Sequence, residues 1–232
     1  QQMIGIEYVL QQAEPDGYTL VVGYGVHYKK TLMGIDLPID ADPVTGDLQA
    51  VIGSLGYTSA LVVPYDSPFE TLEDLVEYAK DNPGELSWGH TGANGTHDIM
   101  GKTFLASAGI EAVAVPLSGG PATRQAVTGG HVDYGVLATF LVPDFVRDNL
   151  MRPLAIFAPD GRDPLLPDVP TFRELGYDDV FDLMDLKLIG APADVPDERI
   201  EILYAGFEQA TETAARQQWI ESQGINPSGW PV

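Results

Sequence analysis

The chain has 232 residues, 44% of them hydrophobic, with 34 acidic residues against 12 basic ones and a formal net charge of −22. This length suffices for one large or two modest α/β cores, and so negative a chain is excluded from binding nucleic acid or anionic membrane surfaces. Because there is no cysteine, disulfides, thiolate metal sites and cysteine nucleophiles are excluded as well.

The predicted elements begin with a helix that is already under way at Gln1 and ends near the turn at residues 14–17. The predicted order then runs strand 18–22, strand 48–52, strand 59–63, helix 71–79, strand 86–90, helix 98–108, strand 112–115, helix 121–128, strand 132–137, helix 143–149, strand 153–157, helix 171–176, strand 183–189 and helix 197–223. This alternation predicts parallel α/β sheets, in which ligands bind at the carboxyl ends of the strands.

Three glycine-rich loops follow predicted strands, at residues 23–25, 91–97 and 118–120. Glycine lets the backbone approach a ligand and turn its N–H groups inward, and a helix N-terminus adds the positive end of its dipole. Together the loops predict an anion site that needs no arginine. Ordinary turn chemistry is the alternative for any one loop taken alone.

Four side chains lie near these loops in the sequence. Three of them have two possible roles each, and the fourth is expected to be structural. His97 is either a structural hydrogen-bonding residue or a catalyst, and Tyr24 either covers a ligand or fills the wall of a cleft. Arg124 either pairs with a ligand carboxylate or lies exposed on its helix. Asp133 is expected to fix local loop geometry through backbone hydrogen bonds.

The motifs of the common enzyme classes are absent from the sequence: a Gly-x-Ser-x-Gly elbow, a Walker loop, a His-Glu-x-x-His helix and a dinucleotide fingerprint. The four histidines, at positions 27, 90, 97 and 131, lack metal-ligand spacing with carboxylates in one element, although His90 and His97 could face one cleft. We therefore predict no catalytic residue, no metal and no cofactor.

Several motifs, read in order along nearly the whole chain, resemble the solute-binding proteins of tripartite tricarboxylate transporters, the Bug or TctC-like family. The two most specific motifs are Pro-Asp-Gly-Tyr-Thr-Leu at residues 15–20 and Leu-Pro-Asp-Val-Pro-Thr at residues 166–171. The other matching segments are residues 67–83, 92–97, 115–120 and 129–133. Leu117 and Ser118 depart from the aromatic residue and lysine that the family most often has.

The resemblance implies a two-lobed α/β fold of the periplasmic-binding-protein type (type II), with a ligand cleft between the lobes. We expect lobe 1 to comprise residues 1–63 and 158–232, and lobe 2 residues 64–157. The family's N-terminal strand, gripping loop and first helix are not in this sequence, nor is its last helix, so we expect the native protein to be longer and its export signal to be missing here.

The resemblance also implies a monomeric extracytoplasmic receptor that delivers a di- or tricarboxylate, or a related organic acid, to the membrane permease subunits of such a transporter. The alternatives are a receptor of the same fold that signals to a sensor kinase and, less favoured, an enzyme on a similar scaffold. The acidity is consistent with a high-salt habitat or with an ordinary acidic extracytoplasmic protein. The expected ligand-binding residues are Tyr24, Gly25, Val26, Gly92, Ala93, Asn94, Gly95, Thr96, His97, Ser118, Gly119, Gly120, Ala138 and Thr139.

Overall fold

The computed structural model describes residues 2–24, 46–159, 161–182 and 185–222. The chain divides into two compact units: unit 1, Gln1–Gly56 with Asp185–Val232, and unit 2, Tyr57–Met184. These boundaries differ from the predicted 63/64 and 157/158. Residues 59–63 belong to a strand in the sheet of unit 2, and Pro170 and Phe172 hydrogen-bond to Ile156 of the same sheet, so both segments pack there.

Unit 1 contains a three-stranded sheet with the order β1-β8-β2. Its elements are α1 (Gln2–Gln12), β1 (Val21–Tyr24), β2 (Leu48–Tyr57), β8 (Asp185–Pro192), α6 (Asp197–Thr211) and α7 (Ala214–Ser222). Neighbouring residues of β8 point to opposite faces: Leu188 joins a cluster with Ile6 of α1, and Ile189 joins a cluster that packs against α6. The sheet therefore separates α1 from α6.

Unit 2 contains a five-stranded sheet with the order β5-β4-β6-β3-β7. Its elements are β3 (Ser59–Pro64), α2 (Leu72–Asp81), β4 (Ser87–His90), α3 (Thr96–Ala108), β5 (Val113–Pro116), α4 (Gly120–Thr128), β6 (Tyr134–Ala138), the 3-10 turn Thr139–Leu141, α5 (Pro143–Arg147) and β7 (Met151–Phe157). One face is covered by a core around Trp88 and Phe104, and the other by a core around Val62 and Leu137. The α/β prediction is confirmed.

The sheet of unit 2 is mixed, so the prediction of parallel sheets was wrong. Strand β4 runs parallel to β5 and β6, whereas β3 runs antiparallel to β6 and β7. Strand β3 brings the chain into unit 2 from the edge at which the other four strands end, and it therefore runs against them.

Two predicted helices differ from the observed structure. Residues 171–176 form turns, because the backbone of Pro170 and Phe172 hydrogen-bonds to Ile156 and Thr171 bridges to that strand. The long C-terminal helix is interrupted between α6 and α7, where the hydroxyl of Thr213 accepts a hydrogen bond from the Arg216 backbone.

Helix α2 begins where the sequence predicts. The Thr71 hydroxyl accepts a hydrogen bond from the Asp74 backbone at 3.2 Å, and the Asp74 carboxylate accepts one from the Thr71 backbone at 2.8 Å. This reciprocal capping box satisfies two donors at the start of the helix. The pKa of Asp74 is lowered, first by hydrogen bonding of its carboxylate with the Thr71 side chain and then by the hydrogen bond from the Thr71 backbone.

None of the described helices combines the length and the apolar composition that a membrane-spanning segment requires.

Candidate functional site

Several chain reversals of unit 2 lie at one edge of its sheet, here called the loop edge. His90, the last residue of β4, pairs with Pro116, the last residue of β5. Ala138, the last residue of β6, pairs with Ser59, the first residue of β3. The loops that follow β4, β5 and β6 therefore leave the sheet side by side, as ligand-binding loops do in open α/β sheets.

The β4–α3 loop (residues 91–95) is held in an uncommon backbone shape. Gly92 has φ +126° and Asn94 has φ +59°, values that favour glycine and, to a lesser extent, asparagine. The Gly92 carbonyl accepts from the Gly95 backbone at 3.3 Å and faces Nδ1 of His90 at 3.0 Å. These contacts fold the loop against the end of β4.

The carboxylate of Asp98, in the first turn of α3, holds the other side of this loop. Its Oδ2 accepts from the Asn94 backbone N–H at 2.7 Å and from Nζ of Lys102 at 2.8 Å. Asp98 is buried while Lys102 is largely exposed. The β4–α3 loop is thus fixed by side chains on both elements that it joins.

His97 is buried, and both of its ring nitrogens have partners within unit 2. Nδ1 lies 2.7 Å from the Thr91 hydroxyl, and Nε2 lies 3.1 Å from the Ser59 hydroxyl. Burial lowers the pKa of His97 from 6.5 to about 4, with the neighbouring His90 as the next cause, so the ring is neutral near pH 7. His97 therefore connects the β4–α3 loop to the start of β3.

The β5–α4 loop (residues 117–119) closes on a second glycine with positive φ. Gly119 has φ +88°, and its carbonyl accepts hydrogen bonds from both the backbone and the hydroxyl of Thr123. At the next position, a Cβ on Gly120 would lie 2.5 Å from Cδ1 of Leu141 in the turn after β6. The start of α4 and the turn after β6 therefore pack against each other.

The turn after β6 is anchored by a buried carboxylate. Oδ2 of Asp163 accepts from the hydroxyls of Thr58 and Thr139, the latter at 2.8 Å, while Oδ1 accepts from the Leu165 backbone at 2.8 Å. Thr58 and Thr139 lie beside each other at the loop edge, where the Thr139 backbone also donates to the Thr58 carbonyl. Asp163 thus ties three chain segments together.

The first turns of α3 and α4 both open toward the loop edge. Their N-cap residues are Gly95 and Gly119, and neither has a capping side chain. The first four N–H groups of any helix lack intrahelical acceptors, and they favour an anion. Pro121, near the start of α4, has no backbone N–H, so the free donors of that helix are the N–H groups of the residues next to Pro121.

The structure brings most of the predicted residues together at the loop edge. Ala93, Asn94 and Ser118 are exposed there, whereas four others are buried in its supporting layer: Thr96, His97, Ala138 and Thr139. Tyr24 is the last residue of β1 in unit 1, and Gly25 and Val26 lie outside the described residues.

Arg124 and Asp133 are engaged within unit 2. The Arg124 guanidinium lies 4.3 Å from the centroid of the Phe145 ring, a cation–π contact. Asp133 accepts from the backbone and hydroxyl of Ser87, opposite the loop edge; the predicted backbone hydrogen bond is present, but it joins the starts of β4 and β6 instead of fixing a local loop. In the part of the chain that the structure describes, His, Asp and Glu do not form a group of three that could hold a metal ion.

Sequence reasoning missed four residues that support the loops: Ser59, His90, Asp98 and Asp163. The hydroxyl and imidazole partners of Ser59 and Asp163 lie 24 to 105 positions away along the chain, so no local pattern reveals them. The contacts of Asp98 with Asn94 and Lys102 span only four positions, and an acid in the first turn of a helix was the available signal.

The family described as "Tripartite tricarboxylate transporter family receptor" matches residues 2–230. The chain belongs to this family. The resemblance inferred from the motifs is therefore confirmed, and the receptors of this family are solute-binding proteins.

Individual relatives and solved structures are similar to this chain. A UPF0065 protein of Cupriavidus necator is 31% identical over 204 residues, which are 88% of this chain and 60% of that protein. A Rhodopseudomonas palustris structure with adipate is 25% identical, covers 98% of this chain and 74% of its own, and has a TM-score of 0.81.

A malate-bound structure of MatC from the same organism is 24% identical, with coverage of 95% and 74% and a TM-score of 0.83; it shows the fold alone. The receptor chain spans about 60% of the length of the Cupriavidus relative.

Proposed function

We propose that this receptor binds a small dicarboxylate, with one carboxylate held at the loop edge of unit 2. The observation that carries the proposal is the side-by-side opening of α3 and α4 at that edge, each beginning at an uncapped glycine. Backbone N–H groups and hydroxyls there supply donors that do not require an arginine, and an ionised acceptor makes such hydrogen bonds about twice as strong as neutral ones.

The proposed contacts divide between two layers. Two segments contact the ligand. The β4–α3 loop contributes Gly92, Ala93, Asn94 and Gly95, and the β5–α4 loop with the first residue of α4 contributes Ser118, Gly119 and Gly120. Thr96, His97, Ala138 and Thr139 form the layer beneath and supply backbone groups or support. Tyr24, Gly25 and Val26 stay a prediction from the sequence.

Adipate in a related structure supports the choice of ligand class, because that protein is 25% identical to this receptor over nearly the whole chain. We propose further that the receptor works outside the cytoplasm as a monomer and delivers its ligand to the permease subunits of a tripartite transporter. Loss of the receptor gene, with the permease genes intact, is then expected to abolish uptake of labelled ligand at low external concentration.

Binding is tested by thermal shift and calorimetry with adipate, malate and succinate, using adipamide as the uncharged control. A ligand that binds only the folded receptor raises its melting temperature. We expect a shift with at least one dicarboxylate and none with adipamide. Equal shifts with adipate and adipamide, or no shift with any dicarboxylate, contradict the proposal.

The site itself is tested with a matched pair of glycines on α3. Gly92→Ala strains the loop before the helix, where φ is +126°, and Gly109→Ala strains its C-terminal cap, where φ is +65°. Both variants should lose stability, since non-glycine residues disfavour positive φ. Only Gly92→Ala is expected to weaken dicarboxylate binding, by about tenfold for a lost hydrogen bond. Equal weakening by both variants contradicts the assignment.

A further inference from the structure

The ring of His90 is oriented by a backbone carbonyl. Its Nδ1 lies 3.0 Å from the Gly92 carbonyl oxygen. A carbonyl oxygen only accepts hydrogen bonds, so Nδ1 must carry the hydrogen. In a neutral imidazole the other nitrogen, Nε2, is then an acceptor.

The Nε2 atom of His90 faces a second acceptor. It lies 3.8 Å from Oδ1 of Asp98, and both side chains are only 2% exposed. Among the described residues, Asp98 Oδ1 is a buried oxygen with no hydrogen-bond partner. The separation exceeds a direct hydrogen bond, and a carboxylate and an imidazole lone pair repel unless a hydrogen lies between them.

Burial favours the neutral form of His90. The pKa of His90 is lowered, with desolvation as the largest cause; Asp98 and the Gly92 carbonyl act to raise it, and Lys102 acts to lower it. The hydrogen between the two acceptors must therefore come from elsewhere near pH 7. A water molecule donates two hydrogens and bridges polar atoms separated by more than 3.5 Å.

We propose that His90 and Asp98 are a water-bridged pair of positioning residues for the β4–α3 loop, with one buried water donating to Nε2 of His90 and to Oδ1 of Asp98. The same two side chains hold the loop at two points, the Gly92 carbonyl and the Asn94 N–H. The bridge connects these two anchors, so the loop keeps its shape before any ligand arrives. Its consequence for affinity rests on the proposed dicarboxylate function.

The tautomer is measured in the unliganded receptor by long-range proton–nitrogen NMR of the His90 ring at pH 7.5. We expect the Nδ1–H form, which is the minor form of free imidazole side chains. An Nε2–H form overturns the proposal. A high-resolution crystal structure is expected to show one ordered water between Nε2 of His90 and Oδ1 of Asp98, and direct contact between the two side chains also overturns it.

Two substitutions at position 90 distinguish a positioning residue from a residue that only fills the core. His90→Asn places an amide N–H near the former Nδ1 and can still donate to the Gly92 carbonyl, whereas His90→Leu fills more of the space and cannot. We expect amide exchange at Asn94 to accelerate in both variants, since both lose Nε2 and the bridge to Asp98, and to accelerate most, about tenfold, in His90→Leu, which also loses the hydrogen bond to the Gly92 carbonyl. A residue that only fills the core gives the opposite order, and that order overturns the proposal.

Adipate affinity gives the functional readout. It is expected to stay within about twofold in His90→Asn and to fall about tenfold in His90→Leu. If no dicarboxylate binds the wild-type receptor, the dicarboxylate function fails, while the tautomer and the amide exchange still decide the role of His90 and Asp98.

Discussion

Gly101 of α3 lies against the indole ring of Trp88 so closely that a Cβ at position 101 would be 2.2 Å from two ring carbons. Trp88 is fully buried between the sheet and α3. The contact sets how near α3 lies to β4, and through it the position of the β4–α3 loop.

Gly101→Ala is therefore expected to destabilise the receptor by about 3 kcal/mol, at the upper end of overpacking, because neither the ring nor the helix can give way without moving the core. Gly206→Ala is the matched control, since position 206 in α6 is exposed with open space around it. That variant should be neutral or gain about 0.5–1 kcal/mol from helix propensity. Urea unfolding measures both, and equal effects would show that the close contact is unimportant.

The free energy of unfolding should decrease as the pH is lowered, because of His97, which lies beneath the β4–α3 loop. Unfolded histidine takes up a proton below about pH 6.5, whereas folded His97 does so only near its pKa of about 4. The unfolded state binds more protons between these values, so folding loses about 1.4 kcal/mol per pH unit there. Urea unfolding from pH 7.5 to pH 4.5 tests this. His97→Asn should flatten the difference between the two pH values, and an unchanged slope would contradict it.

Removing the carboxylate of Asp163 should loosen the turn after β6. Asp163→Ala leaves the hydroxyls of Thr58 and Thr139 and the Leu165 N–H without their acceptor, at a cost of about 3 kcal/mol. Asp179→Ala, at an exposed position, serves as the control and should change the free energy of unfolding by less than about 0.5 kcal/mol. If both variants unfold at the same urea concentration, the hydroxyl cluster does not stabilise the turn.

Two arginine ion pairs should differ in strength. Arg173 pairs with the buried carboxylate of Asp182 through two nitrogens, whereas Arg147 pairs with Asp144 where both side chains are exposed. Arg173→Gln is expected to cost about 2 kcal/mol, less than a fully buried pair because Arg173 is half exposed.

Arg147→Gln, in contrast, should cost less than about 0.5 kcal/mol, as exposed pairs do. Thermal unfolding of both variants at low and at high salt gives the comparison. Equal losses would mean that the burial of Asp182 does not matter.

The parts that the sequence predicts best are those with local causes. Helix α2 follows from Thr71, the acids of its first turn and the Asn-Pro-Gly stop, all within a few residues of one another. Segment 171–176 has similar local signals but forms turns, because Pro170 and Phe172 bond to a strand some fifteen residues earlier. A tertiary contact there outweighs local propensity.

The candidate site divides in the same way. The glycine loops were predictable because positive φ and small side chains leave a mark in the sequence. The supporting layer was not: Ser59 meets His97 and Thr58 meets Asp163 only after the sheet has formed. His97 itself was predicted at the site, but its role as a link between two strands required the fold.

Gly95 and Gly119 leave the starts of α3 and α4 without a capping side chain, and this has an evolutionary consequence. Main-chain donors are not encoded by any single side chain, so most point mutations cannot delete them. On the proposed function, exposed positions such as Ala93 and Ser118 can vary, and new substrates can be acquired by a few substitutions while the proposed main-chain grip on an acid group is inherited unchanged.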